Sequence, residues 1–131
     1  MTTNSGHERR QYWRIVPNHE QPVRVDINGA NFIDILHAID ISEGGLGVRV
    51  GHGFNGCDLD DRVSFVIEIP APKHALLHCS GRIKHISGNH FGVVFDPLPM
   101  RASSCIREYI ALNLKKESWW IWLQYKLRLI H

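Results

Sequence analysis

Val63-Ser64-Phe65-Val66-Ile67-Glu68-Ile69-Pro70 decides the fold class: apolar side chains stand at every second position and the run stops at proline. A period of two puts Val63, Phe65, Ile67 and Ile69 on one face of a strand, half-buried against a core. The Ala71-Pro72-Lys73 turn follows, and Leu77, Cys79, Gly81 and Ile83 resume the same period. Two such strands joined by a turn read as an antiparallel pair.

Working outward, Val23, Val25 and Ile27 alternate before Asn28-Gly29, and Ile33, Ile35, Ile39 and Ile41 after it, which predicts a β-hairpin. Leu46, Val48 and Val50 make a third strand that ends in the Gly- and Asp-rich stretch from Gly51 to Asp61. After Ser87-Gly88-Asn89 the run Phe91 to Phe95 makes a sixth. Six short strands bounded by turns favour a closed antiparallel barrel, because closure removes the unpaired edges of an open sheet. From Pro99 the period lengthens, with Ala102, Ile106, Tyr109, Ile110 and Leu114 at helical spacing and Ser103 or Ser104 able to cap. The expected organisation is an arginine-rich arm over residues 1–19, a β-barrel over 20–97 and a C-terminal helical segment of one or more helices over 98–131.

The bulk properties narrow the function. The 131 residues suffice for one core and leave no room for a second domain. A formal net charge of +2 is too small to spread a duplex nucleic-acid footprint over the surface, so any anion must be bound locally. Three cysteines, Cys57, Cys79 and Cys105, give no close-spaced pair and no disulfide framework, which fits a reducing cytosol. No run approaches the ~18 apolar residues of a membrane span. His74-x-x-x-His78-Cys79 has the look of metal spacing, yet in a turn and strand its side chains diverge. No nucleophile elbow or phosphate-binding loop surrounds any cysteine, so a binding protein is expected rather than an enzyme.

Two local patterns remain: Glu8-Arg9-Arg10-Gln11-Tyr12-Trp13-Arg14 in the arm, and Asp40-Ile41-Ser42-Glu43-Gly44-Gly45 at a strand end. With ten arginines, Arg-x-x-x-Arg arises about once by chance, whereas Asp-x-Ser-x-x-Gly arises roughly 0.03 times. In this order, ahead of six strands and a terminal helix, they resemble the PilZ domain family, whose signature is RxxxR followed by [D/N]xSxxG. Gly81-Arg82-Ile83 and Phe91-Gly92-Val93-Val94-Phe95 are similar to its closing strands.

The resemblance implies a six-stranded PilZ-type barrel that receives cyclic di-GMP, with Arg9, Arg10, Arg14, Asp40, Ser42 and Gly45 as ligand residues and no further cofactor or metal. Arginine forks suit the guanine O6 and N7 acceptors, and the Asp40 carboxylate suits the N1–H and N2–H donors. Ser42 offers a hydroxyl to base or phosphate, and Gly45 a close backbone approach or a positive φ. Arg9 adds a third guanidinium, which in the family goes with an intercalated ligand dimer, hence two ligand molecules per chain. Trp13 reads as an anchor of the arm to the barrel rather than a stacking platform. Ligand would order the arm and signal to a downstream protein. The alternative is an adaptor that ignores nucleotide and acts through its aromatic tail. Trp119, Trp120, Trp122 and Tyr125 beside Lys115, Lys116, Lys126 and Arg128 suit packing on the barrel first, then self-association or partner docking, and least a membrane surface.

Overall fold

The structure, a computed structural model, describes residues 13–29, 33–50, 58–117 and 119–130. Six strands form in the predicted places: β1 (Arg24–Asn28), β2 (Ile33–Ile41), β3 (Gly45–Arg49), β4 (Arg62–Ile69), β5 (Ala75–Ser87) and β6 (His90–Phe95). They close into an antiparallel barrel in the order β1-β2-β3-β6-β5-β4. β3 therefore pairs with β6, Leu46 opposite Val93 and Gly47 opposite Gly92, and β1 closes the circle against β4. Val25, Ile27, Leu46, Val48, Val63, Phe65, Ile67, Ile83, Phe91 and Val93 fill the interior.

β2 departs from the simple alternation. Ile33 and Ile35 are 78% and 60% exposed, and the inward positions near the strand's far end are Ala38 and Ile41, three residues apart. The cause is a bulge: Ala38 pairs with Val48 and Asp40 with Gly47, so β2 spends two residues where β3 spends one. A strict period of two would send Asp40 into the core with Ala38. The extra residue, Ile39, turns Asp40 outward and Ile41 inward.

The same device recurs on β5. Ile83 pairs with Val93 and His85 with Gly92, which leaves Lys84 as the extra residue. Ile83 stays buried and His85 stands on the outer surface.

Two helices follow the barrel, α1 (Met100–Glu117) and α2 (Trp119–Ile130). The apolar stripe Ala102, Ile106, Tyr109, Ile110 and Leu114 joins the barrel core, as its spacing predicts. The Tyr109 hydroxyl donates to the Gln21 carbonyl at 2.7 Å and ties α1 to the segment entering β1. α2 packs on α1 and buries Tyr125. Among the described residues no helix is long and apolar enough to cross a membrane.

Candidate functional site

The site is built at the β2–β3 turn. Ser42 is 2% exposed, and its amide donates to the Gly45 carbonyl at 2.8 Å. Its hydroxyl donates to the same carbonyl at 3.3 Å and accepts from the Gly44 amide at 3.1 Å. Such a side chain acts as a clasp that fixes the turn. The Gly44 carbonyl accepts from the Phe95 amide at 2.9 Å, so the turn is also fastened to β6.

Gly45 is required by packing within the barrel wall. A Cβ there would overlap the Val93 carbonyl oxygen, so only glycine lets β3 lie this close to β6. No positive φ occurs at this position; among the described glycines only Gly88 has one.

Glu43, between the clasp and the glycines, reaches the other way. Its Oε1 accepts from the Ser103 hydroxyl at 3.1 Å and from Arg107 Nε at 3.1 Å, which locks the motif turn onto α1. Only 13% of the Glu43 side chain is exposed, so this pair is better shielded than the surface ones.

The arm meets the barrel beside this turn. Ile15 and Ile41 exchange backbone hydrogen bonds of 3.0 and 2.9 Å, and the Ile15 side chain is buried in the core. Arg14 then lies directly over β2, with Nη1 2.5 Å from Asp40 Oδ1. Their side chains are 44% and 23% exposed, which keeps the contribution of the pair to stability at about 0–1 kcal/mol. Trp13 is an anchor, but onto a helix: its ring meets Tyr125 of α2 edge to face at 5.9 Å and 77°. The Tyr125 phenol is pushed upward by burial and by the nearby Glu43 carboxylate. Its hydroxyl and the Trp13 Nε1 have no hydrogen-bond partner among the described residues.

The structure thus brings together Arg14, Asp40, Ser42 and Gly45. Arg9 and Arg10 lie outside the described residues. Ser42 and Gly45 hold the turn in shape, and Asp40 and Arg14 present its chemistry.

Sequence reasoning missed the neighbours across the sheet. Asp40, Gly47, Gly92 and His85 occupy one cross-strand row on the outer face, with the two bulges placing the polar residues at its ends. Isolated glycines inside strand patterns are the signal that could have found it. His90, next to the row, packs against His85 with ring centroids 5.8 Å apart.

Elsewhere the chemistry is quiet. His74 Nε2 lies 2.8 Å from Glu68 Oε2 on the surface. Burial raises the Cys79 thiol to about 11, so it stays protonated at neutral pH and is no ready nucleophile.

The family model described as PilZ domain matches residues 8–112. No curated protein matches the sequence. Among solved structures, the Bacillus subtilis inhibitor of motility (MotI/DgrA) is similar with a TM-score of 0.70 and 15% identity, over 83% of this chain and 53% of that one. The chain thus spans about half the length of that protein. The PilZ domain of YcgR from Escherichia coli, solved with c-di-GMP, gives 0.65 and 18% over 83% and 93% of the two chains. The MrkH–c-di-GMP complex from K. pneumonia gives 0.60 and 12% over 79% and 51%. At these identities the likeness is one of fold.

Proposed function

The chain belongs to the PilZ domain family, and on that premise we propose that it is a cytoplasmic cyclic di-GMP receptor that passes the signal to a downstream protein without itself catalysing a reaction. The observation that carries this reading is the meeting of the two motif halves: the Arg14 guanidinium and the Asp40 carboxylate lie 2.5 Å apart on the barrel's outer face. A guanine needs both polarities, donors for O6 and N7 and an acceptor for N1–H and N2–H, and here one stands beside the other. Without ligand the two groups neutralise each other. A guanine base exchanges that exposed pair for two charge-assisted contacts of its own.

Arg10, and Arg9 before it, complete the donor set, and Arg9 is the residue on which two ligand molecules per chain depends. In this reading the residues ahead of Trp13 close over the bound nucleotide. Trp13 against Tyr125 and Glu43 against Arg107 then relay the change to α1 and α2, whose exposed face bears Trp120 and Leu127. That face is where a partner would dock.

Isothermal titration of cyclic di-GMP into the full chain tests the assignment. Saturable binding is expected, with two molecules per chain if Arg9 plays its part. Arg10→Ala should weaken it by about 2 kcal/mol or more, some thirtyfold. Absence of saturable heat with the wild type would remove the receptor reading and leave the nucleotide-independent adaptor.

A further inference from the structure

His90 stands beside the site with an unsatisfied nitrogen. Its Nε2 is enclosed and has no hydrogen-bond partner among the described residues. An enclosed polar atom without a partner is costly, and in a binding site it points to the group that satisfies it. The ring is held in place: His85 packs against it, and Arg49 is its register partner on β3.

What the nitrogen faces is defined by Gly47. The point a Cβ on Gly47 would occupy is 3.0 Å from His90 Nε2 and 3.0 and 3.1 Å from the two Asp40 carboxylate oxygens. The imidazole nitrogen and the carboxylate oxygens therefore lie close together, no more than about twice that distance apart, above a residue that has no side chain. Arg14, on Asp40 Oδ1, is the one further charged group that touches this carboxylate among the described residues.

The polarity of this pair matches one edge of a purine. On guanine the N1–H donor sits next to the O6 acceptor, so a carboxylate and a ring N–H a few ångströms apart can read both at once. We infer that His90 is a second base-reading residue: Nε2–H donates to the O6 of the guanine whose N1–H is accepted by Asp40, and Gly47, without a side chain, leaves the two groups close enough to read one base edge. Adenine, with an amino group in place of O6, would set donor against donor here. This rests on the cyclic di-GMP reading and assigns that site residues outside the family signature.

The test is calorimetric titration of cyclic di-GMP into the full-length wild type, His90→Phe, His90→Gln and Gly47→Ala, with 15N NMR of the histidine rings. His90→Phe keeps the packing and loses the donor, and should weaken binding about tenfold, the usual worth of one such hydrogen bond. His90→Gln, whose amide nitrogen can take the place of Nε2, should recover most of that loss. Gly47→Ala should weaken binding at least about tenfold, because its Cβ pushes against both the His90 nitrogen and the Asp40 carboxylate. The His90 Nε2 resonance should shift on saturation.

Wild-type affinity in His90→Phe, or equal weakening in the Phe and Gln variants, would overturn the inference while leaving the receptor assignment standing. A wild type that does not bind cyclic di-GMP would overturn both.

Discussion

Ile15 and Ile41 pair through both of their backbone groups, at 3.0 and 2.9 Å, and this single bridge sets the arginine arm against the aspartate strand. It fixes more than proximity. Each residue has a charged neighbour one position away, Arg14 before Ile15 and Asp40 before Ile41, and it is these neighbours that meet. Moving the pairing by one residue would carry the guanidinium away from the carboxylate.

The bridge gives the first expectation. Ile15→Ala removes a buried side chain at the rim of the core and should cost about 2–3 kcal/mol, the lower part of the range for such truncations. Urea unfolding measures it. Cyclic di-GMP affinity should fall as well, since Arg14 loses its seat.

Hydrogen exchange separates the anchored part of the arm from the part that ligand is proposed to order. The Ile15 amide is already bonded to Ile41, so it should be protected in the free protein. Saturating cyclic di-GMP should raise protection at residues 7–14. Unchanged exchange there under saturation would remove the arm-ordering step from the proposed mechanism.

Asp40 and Gly45, five residues apart in one motif, should fail in opposite ways. Asp40→Ala breaks an exposed ion pair and should change stability by less than about 1 kcal/mol. Its ligand affinity should fall by about 2 kcal/mol. Gly45→Ala forces a methyl into the Val93 carbonyl and should destabilise the fold by about 1–3 kcal/mol or more, whether or not ligand is present. Paired melts and titrations of the two variants would show it; a stable, non-binding Gly45→Ala would contradict the packing argument.

Cys79 makes stability depend on alkaline pH. Its thiol rises from 9.0 to about 11 on burial, so the folded state holds the proton more tightly than the unfolded state. The resulting stabilisation is complete below pH 9 and is lost as pH rises from 9 to 11. Urea midpoints of the wild type should fall over that window, and Cys79→Ala should flatten part of the fall. Alkylation of Cys79 at pH 8 should be slower in the native protein than in urea.

The strands and α1 could be read from the sequence because what makes them is local. Val63, Phe65, Ile67 and Ile69 alternate whatever their partners are, and Ala102, Ile106, Tyr109 and Ile110 share a helix face by spacing alone. Arg14, Asp40, Ser42 and Gly45 were legible too, through a motif rare enough by chance to be noticed. The aromatic tail was not: whether Tyr125 packs inward depends on how α2 folds back on α1 and on Trp13, which lies more than a hundred residues from Tyr125 along the chain.

By itself, then, the sequence determined which segments form strands, the apolar face of those that keep a strict alternation, and the motif residues offered as candidates for the site. Tertiary structure alone decided the order β1-β2-β3-β6-β5-β4, the aim of Asp40 and the company it keeps. The reason lies in the bulges at Ile39 and Lys84. An extra residue in one strand is defined only against its neighbour, and no periodicity within a single strand says where the neighbour skips. Two such skips turn Asp40 and His85 outward at the ends of one row, with Gly47 and Gly92 between them, and make a surface of residues that lie far apart in the chain.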